Sequence, residues 1–140
     1  MTYLRRSTMK YLEDELFSYP GMEKHIRSIR EEIINPWKEQ DTNIGGGRSN
    51  SNVSTVEIKA TRLVNDKRLR RMQEVKQAIE TIYNEADHNQ RKMLDVYYFT
   101  RPRTLTIDGV AQKMNVSRRT IFRVRKSILS RLADELGIIN

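Results

Sequence analysis

The apolar residues of this chain recur every three or four positions almost from end to end, and period-two alternation is nearly absent. That spacing predicts an all-α protein. Met9, Leu12, Leu16 and Tyr19 form a first stripe, and the Pro20-Gly21 pair behind it reads as a stop. Met22, Ile26, Ile29 and Ile33 form a second stripe, closed by Pro36. A break this short predicts an N-terminal helical hairpin over residues 1–40. Stripes of this kind serve first as intramolecular core, and dimerisation through them is the sharper alternative.

Composition then shifts. The segment "DTNIGGGRSNSNVS", Asp41 to Ser54, is rich in Gly, Ser and Asn and reads as a linker over residues 41–53. Its Gly45–Gly47 run is a poor phosphate cradle, because no Gly-Lys-Ser/Thr follows and no strand precedes. Neither that run nor Asn35–Trp37 acquires a chemical role from the residues. The helical pattern resumes at residue 54, where Ser54 and Glu57 form a capping box and Val56, Ala60 and Leu63 supply a buried face. From about Asp66 a further helix carries Leu69, Met72, Val75, Ile79 and Ile82. Asp87 and Gln90 repeat the cap logic and open a helix whose Met93, Leu94, Tyr97 and Tyr98 face inward, ended by Arg101-Pro102-Arg103.

The pattern tightens over residues 106–136 into a helix-turn-helix. Thr106 caps a helix in which Ile107, Val110, Ala111 and Met114 share one face. Asn115 tolerates the left-handed backbone of a tight turn, Val116 plugs the corner, and Ser117 caps the next helix. There Ile121, Val124 and Ile128 continue inward toward Leu132 and Leu136, and Gly137 ends the run. Ala111 must be small, because the two helices cross closely beside it.

Charge changes the picture only at this end. The net charge is +8, and residues 101–140 hold nine Lys/Arg against three Asp/Glu. The two preceding segments, 1–65 and 66–100, are each close to neutral. Such an excess points to a polyanionic partner, nucleic acid ahead of a membrane surface. Around the second helix Arg119, Arg123 and Lys126 face away from the apolar stripe, with Thr120 to one side. Arg can read guanine O6 and N7 bidentately, and Arg and Lys both pair with phosphates. Arg118 and Arg125 lie nearer the core boundary, suited to phosphates or to snorkelling. Phe122 lies at the flank, better placed to pack on a neighbouring helix than to meet a thymine methyl. The candidate DNA-contacting set is Ser117, Arg118, Arg119, Thr120, Phe122, Arg123, Arg125 and Lys126.

Enzymatic chemistry finds little support. His25 and His88 stand 63 positions apart, and cysteine is absent, so neither a base nor a metal set is legible, and no cofactor is implied. Glu13-Asp14-Glu15 and Glu31-Glu32 read as solvated faces. No run of 18 apolar residues and no signal-peptide core occurs, so spanning and secretion gain no support.

Two resemblances add to this reading. Residues 89–137 resemble region four of the sigma factors, through the aromatic pair near Tyr98-Phe99, the "VAQKMNVSRRTI" core and the long basic last helix. Nearly the whole chain resembles the RinA-type phage late-gene transcriptional activators, through "YPGMEKHIRSIREEIINPW", "DTNIGGG" and "VSRRTIFRVRKSILSRLADELG" in order. The resemblance implies a non-enzymatic DNA-binding activator of phage packaging and structural genes. It further implies a late-promoter duplex and bacterial RNA polymerase as partners, in the host cytoplasm. Ser117–Lys126 take the recognition-helix role. A self-contained domain is expected over residues 54–140, with the hairpin holding either another copy of the chain or the polymerase. The alternatives are a small-terminase-like protein that marks viral DNA, or an assembly protein whose basic helix holds an acidic protein surface.

Overall fold

The computed structural model describes residues 3–35 and 55–138, and among them every regular element is helical. In order these are α1 (Arg6–Ile34), α2 (Thr55–Asn65), α3 (Lys67–Glu85), α4 (His88–Met93), a π-helical turn (Leu94–Tyr98), α5 (Ile107–Met114) and α6 (Arg118–Leu136). The all-α class expected from the spacing is the class found. The glycine-rich segment 41–53 with Gly45–Gly47, the Ser54 cap, Pro36 and Trp37 lie outside the described residues.

The N-terminal hairpin does not form. α1 runs unbroken through Pro20. The proline removes one N–H and costs about 3 kcal/mol in a helix interior. The two stripes, however, are one stripe: Leu12, Leu16, Tyr19, Met22, Ile26, Ile29 and Ile33 advance by 4, 3, 3, 4, 3 and 4. Continuing the helix keeps the later residues in phase with the earlier ones, and Leu12, Leu16, Met22, Ile26 and Ile29 are all buried. Each such side chain contributes roughly 1.5–3 kcal/mol on burial, which outweighs one lost hydrogen bond.

The chain gathers into two compact units, one of residues 1–22 with 74–140 and one of residues 23–73. The boundaries expected at residues 40 and 54 do not coincide with these. In the second unit, α2 has no buried residue. Its expected inner face is instead open, with Val56 and Ala60 exposed and Leu63 half-buried, because no described residue covers it. α3 opens on Asp66, whose Oδ1 accepts from the Leu69 N–H at 2.9 Å.

The first unit holds the basic end of the chain. Val75, Ala78, Ile79 and Ile82 of α3 are buried with Leu12 and Leu16 of α1, Met93 of α4, and Leu94 and Tyr98 of the π-turn. α4 starts with a complete capping box: Asp87 accepts from the Gln90 N–H at 2.8 Å, and Gln90 accepts from the Asp87 N–H at 3.0 Å. Gln90 also donates to Ser127 Oγ at 2.9 Å, so one side chain caps α4 and ties it to α6. The π-turn, closed by the Phe99 N–H on the Leu94 carbonyl at 2.9 Å, brings successive aromatics onto α1. Phe17 lies 4.9 Å from Tyr98 and 5.4 Å from Tyr97 between ring centroids, and Tyr19 lies 4.8 Å from Phe99.

Gly21 gives a direct test of helix continuity. A Cβ there would meet nothing within 4 Å, and the residue lies inside α1. Gly21→Ala should therefore raise stability by about 0.5–1 kcal/mol, read by thermal or urea denaturation. A hairpin turn relying on that glycine would instead be destabilised.

Candidate nucleic-acid interface

The geometry of the basic end is set by backbone chemistry at three residues. Thr106 starts α5, its Oγ1 accepting from the Gly109 N–H at 3.0 Å. A Cβ on Gly109 would sit 3.3 Å from Leu105 Cδ2, so a larger residue there fits only if the Leu105 side chain gives by a few tenths of an ångström. Asn115 ends α5 in the left-handed region, with φ at 59°. Its N–H reaches the Gln112 carbonyl at 3.1 Å and the Val116 N–H reaches the Ala111 carbonyl at 3.0 Å, the paired bonds of a Schellman ending. Ser117 then starts α6: its Oγ accepts from the Thr120 N–H at 3.1 Å and donates to Thr120 Oγ1 at 2.9 Å. The Ser117 hydroxyl is thereby committed to the cap, while the Thr120 hydroxyl accepts from it.

Between these punctuation points the two helices share a core. Val110, Ala111, Ile121, Val124 and Ile128 are buried, while Ile107, Met114 and Val116 are half-buried. α5 packs on both α4 and α6. Ala111 is 5% exposed, inside this shared core.

α6 changes character along its length. In its C-terminal half Ile128, Leu129, Ser130, Leu132 and Ala133 are all buried, so a wide face of the helix is enclosed while Asp134 and Glu135 stay exposed. Its N-terminal half is buried on one side only, through Ile121 and Val124, and Arg119, Arg123 and Lys126 are exposed. These three have no ion-pair or hydrogen-bond partner among the described residues. Of the other cations of the region, Lys113 on α5 is exposed with no partner among the described residues, and the rest are engaged. Arg118 pairs with Asp108 at 3.1 Å, an exposed contact that is easily exchanged for another anion. Arg131 binds Glu85 of α3. Arg101 donates to the Phe17 carbonyl at 2.7 Å, and the Arg103 guanidinium lies 4.0 Å from the Phe17 ring centroid.

Arg125 is turned inward, onto α1. Its Nε and Nη2 donate to the two carboxylate oxygens of Glu13 on α1 at 2.8 and 2.7 Å, and the Tyr98 hydroxyl donates to the same carboxylate at 2.7 Å. The Glu13 side chain is 14% exposed and that of Arg125 24%. Burial alone would push the Glu13 carboxyl up, yet the Arg125 and Tyr98 hydrogen bonds with the Arg125 charge hold it below the usual carboxylate range. Burial, then the Glu13 charge, pushes the Tyr98 phenol well up. A guanidinium held this way is withdrawn from the DNA-contacting set named above. Glu13, read from sequence as part of a solvated face, is the residue that reasoning missed. Its only trace is position: it lies between Leu12 and Leu16, at the border of the buried stripe.

Phe122 is also placed differently from its expected packing on a neighbouring helix. It is 38% exposed, and the groups beside its ring are Arg118 and Arg125 of its own helix, at 5.3 and 6.0 Å from the centroid.

Two measurements probe this assembly. Ala111→Leu should destabilise by roughly 1–3 kcal/mol through overpacking between α5 and α6, seen as a lower denaturation midpoint. Glu13→Gln should cost roughly 2 kcal/mol at pH 7, since Arg125 loses its counter-charge. Because the folded Glu13 pKa is depressed, its contribution is complete above about pH 4.3, the unfolded value, and is lost as pH falls through the lower folded value. Melting curves of the parent and the Glu13→Gln variant should accordingly converge between pH 7 and pH 3.

Among the described residues no group of three or more His, Cys, Asp or Glu side chains could hold a metal, and no helix is long and apolar enough to cross a membrane. No solved structure matches the chain. The family described as "protein of unknown function (DUF722)" matches residues 7–134. The chain is 39% identical to "Transcriptional activator rinA" of Staphylococcus phage phi11 over 134 residues, covering 96% of this chain and 94% of that protein. That likeness spans α1 as well as the basic end, and the chain belongs to the DUF722 family, that of the RinA-type phage transcriptional activators.

Proposed function

We propose that this protein is a sequence-specific DNA-binding activator of phage late transcription, of packaging and structural genes, acting with host RNA polymerase. In this reading α5 and α6 are a helix-turn-helix of the sigma-region-four kind, and the N-terminal half of α6 enters the major groove. The observation that carries it is the set Arg119, Arg123 and Lys126: exposed, unpaired among the described residues, and held on a helix whose other half is anchored through Ile128, Leu129, Leu132 and Ala133. A solvated basic face would not need that anchoring, whereas a groove reader must hold its side chains in register against the bases. Membership of the RinA-type family supports activation as the outcome of binding.

The experiment is a footprint of the full-length protein upstream of the phage packaging genes, followed by run-off transcription with host polymerase. Protection of one discrete site, with stimulated transcription from it, is the expected result. Arg119→Ala or Arg123→Ala should cost about 1–3 kcal/mol at that site while changing affinity for random duplex much less. Lys126→Ala, if the ammonium meets a phosphate, should weaken both alike and lower the salt slope by about one. Uniform protection of any duplex, with no effect on transcription, would defeat the reading.

A further inference from the structure

We propose that Phe122 is a specificity-determining residue that recognises the 5-methyl group of a thymine in the major groove. The inference rests on the DNA-binding reading above and assigns a base to one side chain within it. Phe122 is the fifth residue of α6, about 6 Å along the axis from its start, within the segment that a recognition helix turns toward base edges. At 100° per residue it lies within about 60° of Arg119 and Lys126 around the helix, so it shares their solvent side.

An exposed phenyl ring is normally free to turn. This one is braced, because it stands between the guanidiniums of Arg118 and Arg125. Of the two, Arg125 is fixed to Glu13 on α1, and Arg118 is more lightly paired with Asp108 on α5. A side chain held in this way loses little freedom on binding, the condition under which a small contact yields selectivity. Its surroundings also restrict the occupant. On the same side of the helix stand the exposed cations Arg119 and Lys126, so whatever meets Phe122 must be apolar at one point and anionic beside it. The major groove of DNA has that character at a thymine, whose C5-methyl is the apolar group on the base edges, flanked by phosphates.

The test uses the full-length chain. Its preferred site is selected from random duplex DNA, and each thymine in it is replaced singly by deoxyuridine, which removes one methyl group and nothing else. Burying one methyl is worth about 0.8 kcal/mol, so one thymine should show about a fourfold loss of affinity with the parent protein. Phe122→Ala, whose folding is checked by its melting curve, should bind the thymine and uracil duplexes equally, and Phe122→Leu should keep part of the difference. The assignment is overturned if the parent is indifferent to every such replacement, or if Phe122→Ala retains the same ratio at the sensitive position. Failure to select any site would overturn the DNA-binding reading itself, and the phenyl contact with it; a selected site that tolerates uracil throughout overturns the phenyl contact alone.

Discussion

Glu13 and Arg125 meet across 112 positions of chain, and both keep their charge in a setting where each is mostly shielded from water. Removing two such groups from solvent costs several kcal/mol apiece, and the attraction repays this only when the geometry is good and the spare lone pairs are used. Both conditions hold here. The bond is bidentate, and the Tyr98 hydroxyl takes up a further share of the carboxylate. Three elements, α1, the π-turn and α6, are thereby fixed against one another by one polar cluster. A small slip in any of them would leave a buried charge unmatched, which is how a single interaction gives the first compact unit its register.

The neighbouring contacts depend on that register. One helical turn beyond Glu13, Phe17 meets Tyr97 in a T-shaped pair and Tyr98 in a tilted one, carries Arg103 over its face and gives its carbonyl to Arg101. Pro20 sits only three residues further on, and its missing N–H leaves that stretch of helix short of a donor. Arg101 supplies a hydrogen bond to an adjacent carbonyl. The first turns of α1 are thus a wall of the basic unit and not an appendage to it. Residues 54–140 taken alone would lack the carboxylate for Arg125 and the core side chains Leu12 and Leu16.

The same contacts sort the cations. Arg101, Arg103, Arg125 and Arg131 are used to hold the unit together, and Arg118 is lightly held by Asp108. What remains exposed on the N-terminal half of α6 is a short set, Arg119, Arg123 and Lys126, with Phe122 at its edge. A net charge of +8 describes the attraction of the whole molecule for a polyanion, but the geometry of the unpaired cations decides where that attraction acts.

Local chemistry was legible in the sequence because it depends on neighbours in the chain. The three- and four-residue spacing declares helices, Asp87 with Gln90 declares a cap, and Thr106, Asn115 and Ser117 declare the ends of α5 and α6 through backbone preferences that act within a few residues. Pro20 was misread for the same local reason: its own penalty is visible at once, whereas the reward for continuing lies in a stripe that stays in phase from Leu12 to Ile33. The partnership of Glu13 with Arg125 has no local signature. Each lies at the border of a buried stripe, and border positions are equally suited to a solvated charge and to a shielded pair. Only the packing of α1 against α6 decides between those states, because the balance of desolvation and attraction is set by what lies across the gap. Tertiary structure decided in the same way that no described residue covers Val56 and Ala60 and that Phe122 faces outward, since a stripe defines a face but not the surface that meets it.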